Sequence, residues 1–359
     1  MKISFDLSAI PDGFYDDPYP IYRSLREHSP LHQMNDGSLF LTRYSDVVQV
    51  YRLATASSDK QVEFGPKYGD SPLFEHHTTS LVFNDPPLHT RVRQLIMGAV
   101  NQQAMLRMEP AVVALVDRLL DQMADQRQCD LIADFAAVIP VEVIGNLLAI
   151  DPSDRGPLRG WSLAILGALE PVLTEQMKND GNKAVEEFAA FLRELIADRR
   201  NNPLDPQQDG TWLLMNNPVQ MQRLRDDPAL INTAVDEMLR CEGPIQLNNR
   251  RLTKSATIGG EHFESGTRIT LCIGAAGRDP EEFVAPDDFD VGRKPNRHVA
   301  FGHSAHACVG MNIARMEGRV AVGALVKRFG RINANGAPER DRRVRFRGFT
   351  RLPIVVEPV

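Results

Sequence analysis

The chain turns on the stretch Phe301-Gly302-His303-Ser304-Ala305-His306-Ala307-Cys308-Val309-Gly310, which is followed by an amphipathic run to about Phe329. Its lone cysteine stands at the mouth of a predicted helix, where unpaired amide N–H groups and the positive end of the helix dipole favour thiolate over thiol. Gly302 and Gly310 bracket the turn, so the backbone can double back and something flat can approach it. Downstream, Ile313, Met316, Val320 and Ala324 share one stripe of the helix and Arg315 and Arg319 another, while Phe301 stands where it could shield the sulfur. Taken alone, a single cysteine is more often a buried core residue than a ligand. Zinc is a weaker reading, because His306 and Cys308 lack two further ligands at metal spacing.

Outward from this loop, Asp85-Pro86-Pro87-Leu88-His89-Thr90-Arg91-Val92-Arg93 reads as a helix start, with Asp85 as N-cap and Pro86 in the first turn. That helix puts His89 and Arg93 four residues apart on one face, a pair suited to a carboxylate. The two stretches together resemble the cytochrome P-450 superfamily, whose haem loop follows Phe-Gly-x-Gly-x-His/Arg-x-Cys-x-Gly. Only Ser304 departs from it, where the family usually has Gly.

The resemblance covers nearly all of the chain in order and implies the cytochrome P-450 fold, mainly α with a small β-rich subdomain, as a single domain over residues 1–359. It implies heme b (iron protoporphyrin IX) as cofactor, with Cys308 as the metal ligand. Phe301, His306 and Gly310 fall in the haem loop, and His89, Arg93 and Arg250 fall where the family holds the propionates, with Arg251 the alternate to Arg250. Glu237 and Arg240 match the family's buried pair, a structural brace rather than catalytic groups. Phe74, Ile165, Phe349 and Thr350 are candidate substrate contacts.

The activity so implied is that of a monooxygenase, which inserts one atom of dioxygen into a small organic substrate. Its electrons would come from a ferredoxin or flavodoxin with an NAD(P)H-dependent reductase, docking near the Cys308 loop with help from Arg315 and Arg319. The family's long central helix, with its acid-Thr or amide-Thr pair, has no counterpart before Pro218. Asp209-Gly210-Thr211 offers an acid and a threonine, but Thr211 lies too close to Pro218 to take the role, so an absent segment is expected near 209–212. Two rivals follow: a haem-thiolate enzyme using peroxide or rearranging its substrate, and a truncated haem- or ligand-binding protein without turnover.

Size and charge agree with such an enzyme. A chain of 359 residues, 43% hydrophobic, can bury a large core. Its net charge of -6 comes without a block of one sign, so nothing advertises nucleic acid. Cys129, Cys241, Cys272 and Cys308 form no C-x-x-C pair, which fits a reducing, cytoplasmic setting. The first residues alternate apolar with polar, and the most apolar window, Leu131 to Ile150, is broken by Asp134, Pro140 and Glu142. No membrane span is expected, and the window reads as two buried helical segments.

Elsewhere the pattern predicts a helix through Arg26, a strand over Leu39 to Arg43, and a short helix capped by Ser45. Val62 to Phe83, rich in Gly, Pro, Ser, Asp and His, reads as a long loop in which His76 and His77 are a site or simply solvated. An all-helical middle follows to Arg200. A small sheet is expected from Ile245 to Leu252, Ala256 to Ile258 and Thr267 to Ile273.

Overall fold

The computed structural model describes residues 4–99, 102–148, 150–199 and 212–359. Asp209 and Thr211, where a segment is expected to be absent, lie outside the described residues.

Helices form the body. Gln102–Gln126 repeats its apolar positions at helical spacing and buries Val112, Val116, Leu119 and Leu120 against Met316, Val322 and Leu325 of the helix Met311–Arg328. The apolar window is two buried pieces as expected, a π turn Leu131–Ala136 and the helix Val138–Leu147, whose Phe135, Ile139 and Val143 join the same core. Among the described residues no helix is long and apolar enough to cross a membrane.

The main sheet runs in the order Leu31–Gln33, Leu39–Leu41, Arg268–Cys272, Leu247–Leu252 and Ala56–Ser57. Leu39–Leu41 is parallel to Arg268–Cys272, and the other neighbours are antiparallel. Alternation along Leu247–Leu252 sends Arg250 and Arg251 to opposite faces. Arg250 is buried, whereas Arg251 meets Glu63 at 3.6 Å.

Two predicted caps differ from the structure for the same reason, a partner distant in sequence. The helix Tyr44–Arg52 starts one residue before Ser45, and the Tyr44 N–H is taken by the Asp279 carboxylate at 2.7 Å. Asp85 is likewise not a side-chain cap: its carboxylate accepts from the Ser57 hydroxyl and from the Ser58 N–H at 2.9 Å, and the helix begins at Leu88.

The stretch from Val62 to Phe83 is not a loop. It holds the helices Gln61–Tyr68 and Pro72–Thr79 and a 3-10 turn Leu81–Phe83, despite Gly65, Pro66 and Gly69. Burial outweighs propensity here, because Phe64, Tyr68 and Leu73 pack with Ile165, Leu169, Ala184 and Val185. His77 belongs to this packing and is 2% exposed, with the rings of Phe64, Tyr68 and Phe83 around it and no hydrogen-bond partner for Nε2. Burial pushes its pKa down to about 3.

Beneath the cysteine loop, the helix Ile231–Glu242 carries Glu237 and Arg240, both fully buried and joined by two 2.7 Å hydrogen bonds. Arg240 also donates to the carbonyls of Gly277, Pro286 and Asp288, and Glu237 accepts from the Arg293 Nε, the Asp290 N–H and the Asn296 amide. One ion pair thereby pins the irregular segment between Gly277 and Asn296 to a helix.

Two outcomes follow. Replacing Glu237 by Gln strands Arg240 and Arg293 in the interior, and denaturant melts should show a loss of about 3–5 kcal/mol. For His77 the sign is set by a folded pKa below the unfolded one of about 6.5. Its contribution is present above that value and is lost as pH falls toward 3. From pH 7.5 to pH 5 this group alone should cost about 2 kcal/mol, and a His77→Phe chain should show a correspondingly shallower pH dependence.

Candidate functional site

The Cys308 loop is shaped by its own backbone. Gly302 donates to the Val299 carbonyl at 2.9 Å and Cys308 to the Phe301 carbonyl at 2.8 Å, which closes the turn around a 3-10 segment, Ser304–His306. Gly302 has φ +69°, and an added Cβ would stand 3.3 Å from the His306 carbonyl oxygen. At Gly310, the N-cap of the helix Met311–Arg328, an added Cβ would lie 4.0 Å from the Cys308 sulfur. Cys308 itself is exposed.

The helix Leu88–Ala99 lies against this loop. Arg93 Nη1 donates to the Ala307 carbonyl at 2.6 Å, and the His89 and His306 rings stand 4.0 Å apart. Arg250 reaches the same place from the sheet. Burial lowers the pKa of His89, helped by the Arg93 charge, and burial followed by Arg250 and His89 pushes His306 down to about 4.

Four basic side chains thus converge on one loop with a single acid in range, Asp85, whose carboxylate is already engaged by Ser57 and Ser58. His89 is 2% exposed, yet neither ring nitrogen has a partner, and the buried Arg250 guanidinium donates only to the neutral Asn248 Oδ1 and Asn249 carbonyl. Buried donors left so are costly and call for an anion. The carboxylates of a haem fit them, and a thiolate at Cys308 fits its iron. Arg251, committed to Glu63, is not at this place. Zinc finds no support, since no group of three or more His, Cys, Asp or Glu among the described residues is placed to hold a metal.

The remaining candidates fall elsewhere. Phe301 lies under the Arg315 guanidinium at 5.0 Å. Arg315 and Arg319, expected to help a partner dock, are already paired with Asp236 and Glu109. Ile165 is buried in the Phe64–Leu169 cluster and Phe74 packs on it, whereas Phe349 lies under Arg340 at 4.0 Å and Thr350 donates to the Glu339 carbonyl. None of these four lines the large cavity on the other side of Arg250. Lys60, Glu63, Lys67, Glu170 and Arg345 are among the residues lining that cavity, and none stands out in the sequence: scattered lysines and arginines read as solvated faces until folding brings them together.

A flat, anionic, iron-bearing group held by a cysteine thiolate defines the class, a haem-thiolate protein. The comparisons agree. A family model described as Cytochrome P450 matches residues 213–350. The chain is 31% identical to cytochrome P450 107B1 of Saccharopolyspora erythraea, over 97% of each chain. It is 28% identical to the biotin biosynthesis cytochrome P450 of Bacillus subtilis (strain 168), over 98% of this chain and 99% of the relative. A crystal structure of P450BioI in complex with hexadec-9Z-enoic acid ligated acyl carrier protein superposes with a TM-score of 0.90 at 27% identity, covering 96% of this chain and all of that one. The chain belongs to the cytochrome P450 family. It is a monooxygenase with heme b as its cofactor, and the fold is that of the family.

The departure at Ser304 has a structural consequence. Ser304 takes φ +58°, in the left-handed region where a side chain is strained and glycine is not. Ser304→Gly should therefore stabilise the chain by about 1 kcal/mol, visible as a higher midpoint in a denaturant melt.

Proposed function

We propose that this monooxygenase oxidises a small organic substrate with Cys308 as the iron ligand, His89, Arg93, Arg250 and His306 as the propionate cradle, and electrons from a separate ferredoxin or flavodoxin with its NAD(P)H-dependent reductase. The observation that carries the reading is the convergence of those basic groups on the cysteine loop, His89 and Arg250 buried and none of the four paired with a carboxylate. Bound haem supplies the activation of dioxygen and the oxidation of a C–H bond, one oxygen atom entering the substrate and the other leaving as water. The chain's own groups hold it. Cys308 offers its sulfur from an exposed loop, the basic groups neutralise the carboxylates, and Gly302 and Gly310 keep the backbone clear of Cβ atoms where a flat ring approaches.

The separate electron donor is supported by the scatter of the four free cysteines, which supply no iron–sulfur spacing. The same free thiols suit a cytoplasmic setting. The substrate class draws on the relatives, one of them named for biotin biosynthesis and one solved with a fatty acyl group on a carrier protein.

We also retain the absent segment near 209–212. The alignment to the biotin biosynthesis relative runs over 395 residues although this chain has 359, and the family model takes up the chain only at residue 213. Leu95, Leu106, Val113 and Ile144, on three consecutive helices, are exposed apolar side chains of the kind another element would cover. This shortfall favours a second reading, in which haem-thiolate chemistry runs on peroxide or the chain binds haem and ligand without turnover.

The carbon-monoxide spectrum of the reduced protein tests the site, on a chain whose mass has been verified. The expected result is the red-shifted band of thiolate ligation, lost in Cys308→Ser while circular dichroism is unchanged. A band that survives in Cys308→Ser removes the assignment. Product formed with peroxide alone, and none with a competent redox partner, selects the second reading.

A further inference from the structure

A cavity of about 550 Å³ opens on the far side of Arg250, between the main sheet, the helix Gln61–Tyr68 and the segment Leu169–Pro171. Its size is that of a site for a small molecule. Leu7, Met34, Phe64, Phe83 and Leu169 give it apolar walls, but one end is charged.

That end holds Lys60, Lys67 and Arg345 beside Arg250. Lys60 is 5% exposed, its ammonium meets a carboxylate only at Glu63, 3.6 Å away, and Glu63 is shared with Arg251 at the same distance. Lys67 donates to the Glu170 main-chain carbonyl at 2.9 Å, not to a carboxylate. The Arg345 guanidinium gives its hydrogen bonds to neutral groups, the Leu169 and Leu247 carbonyls and the Asn249 side chain. The Glu170 carboxylate accepts from the Val344 and Arg345 N–H groups through one oxygen. Elsewhere on the lining Arg268 pairs with Asp36 at 2.9 Å and Asp6 accepts from Ser8 and Asn35, so with Arg250 assigned to the haem, Lys60, Lys67 and Arg345 are left with two carboxylates, Glu63 and Glu170. One anion is missing from the balance, and leaving buried positive charge without it is costly.

We infer that this cavity takes an amphipathic carboxylic acid, its carboxylate held by Lys60 and Lys67 with Arg345 behind them and its hydrocarbon tail along Phe64, Phe83 and Leu169. That the bound acid is the substrate rests on the monooxygenase reading; the anion site does not. Lys60 feels Glu63 and then Arg250 and Arg345, and Lys67 feels Arg345 and Glu170, so Arg345 acts on both ammonium groups. Burial first, and then those neighbouring arginines, holds both lysine pKa values down to about 8. A carboxylate arriving between them favours the charged form further.

The test is calorimetric titration of the haem-loaded protein with decanoate and with decan-1-ol, which share a chain length and differ in charge. At pH 7 decanoate should bind about tenfold tighter or more, the worth of a charge-assisted contact. Lys60→Met and Lys67→Met should each remove most of that preference while leaving the alcohol's affinity unchanged. Should either variant fail to fold, the native protein still decides: the preference should fall between pH 7 and pH 10, as groups that titrate near 8 lose their protons while the ligand stays an anion. Equal affinity for acid and alcohol, no binding of either, or a preference indifferent to pH and to both variants overturns the inference. Haem content and the carbon-monoxide spectrum are read on the same sample, so a normal Cys308 band with no acid preference sinks this inference alone. An acid preference without that band sinks the haem reading and leaves the anion site.

Discussion

Everything near the cysteine depends on one buried ion pair. Glu237 and Arg240 are three residues apart on a single helix, so the pair is cheap to form locally. Its remaining bonding capacity reaches outward to Gly277, Pro286, Asp288, Asp290, Arg293 and Asn296. Those residues belong to a stretch with little regular structure, whose backbone groups would otherwise go unsatisfied in a buried setting. A hydrophobic pair of the same volume could stabilise the helix as well, but it could not fix the course of an irregular segment. Just past that segment, His298 and Arg315 meet Asp236 on the same helix, so the Cys308 loop is carried on a surface already fixed in place.

The loop itself shows how backbone conformation, not side chains, sets the geometry of a ligand. Two turns close on the Phe301 and Ser304 carbonyls, and each needs a residue in the left-handed region. Gly302 enters it freely. Ser304 enters it under strain, and its hydroxyl meets the His303 ring at 2.8 Å, a local contact that offsets part of the cost.

How much of this was legible depended on whether the deciding contact was local. The Phe301 to Gly310 loop, the His89 and Arg93 spacing and the Glu237 and Arg240 pair are written within ten residues each, and all three emerged from reading the chain. Of the strands around Gly259, Gly260 and Gly266, Leu247–Leu252 and Arg268–Cys272 pair in one sheet as expected, whereas Ala256–Ile258 leaves it for a separate hairpin with Glu261–Phe263, a strand not expected from the sequence. The helices Gln61–Tyr68 and Pro72–Thr79 were not legible, because Gly65, Pro66 and Gly69 signal a break while the packing of Phe64, Tyr68 and Leu73 against Ile165 and Leu169 enforces a helix. The Asp279 cap on Tyr44 is 235 residues away in sequence, beyond any local signal. Lys60, Lys67 and Arg345 are the extreme case: the two lysines share a helix face, seven residues apart, only because Gln61–Tyr68 is helical, and only the fold brings Arg345 to their wall of the cavity.

That wall and the haem cradle share Arg250, and the sharing constrains both. A guanidinium presents several donors in a fixed plane, and here its hydrogen-bond acceptors are neutral, so its positive field, only partly met by Asp85, is felt by both Lys60 and His306. A carboxylate of the haem on the His306 side weakens the repulsion that Arg250 exerts on Lys60. Loading the cofactor therefore makes the lysines easier to keep protonated and the cavity better suited to an anion. By the reciprocity of linked equilibria, an acid bound at the lysines makes Arg250 a better partner for the haem carboxylate. On the proposed assignments the two sites would be coupled through one side chain, in the direction that favours the cofactor and an acidic ligand together.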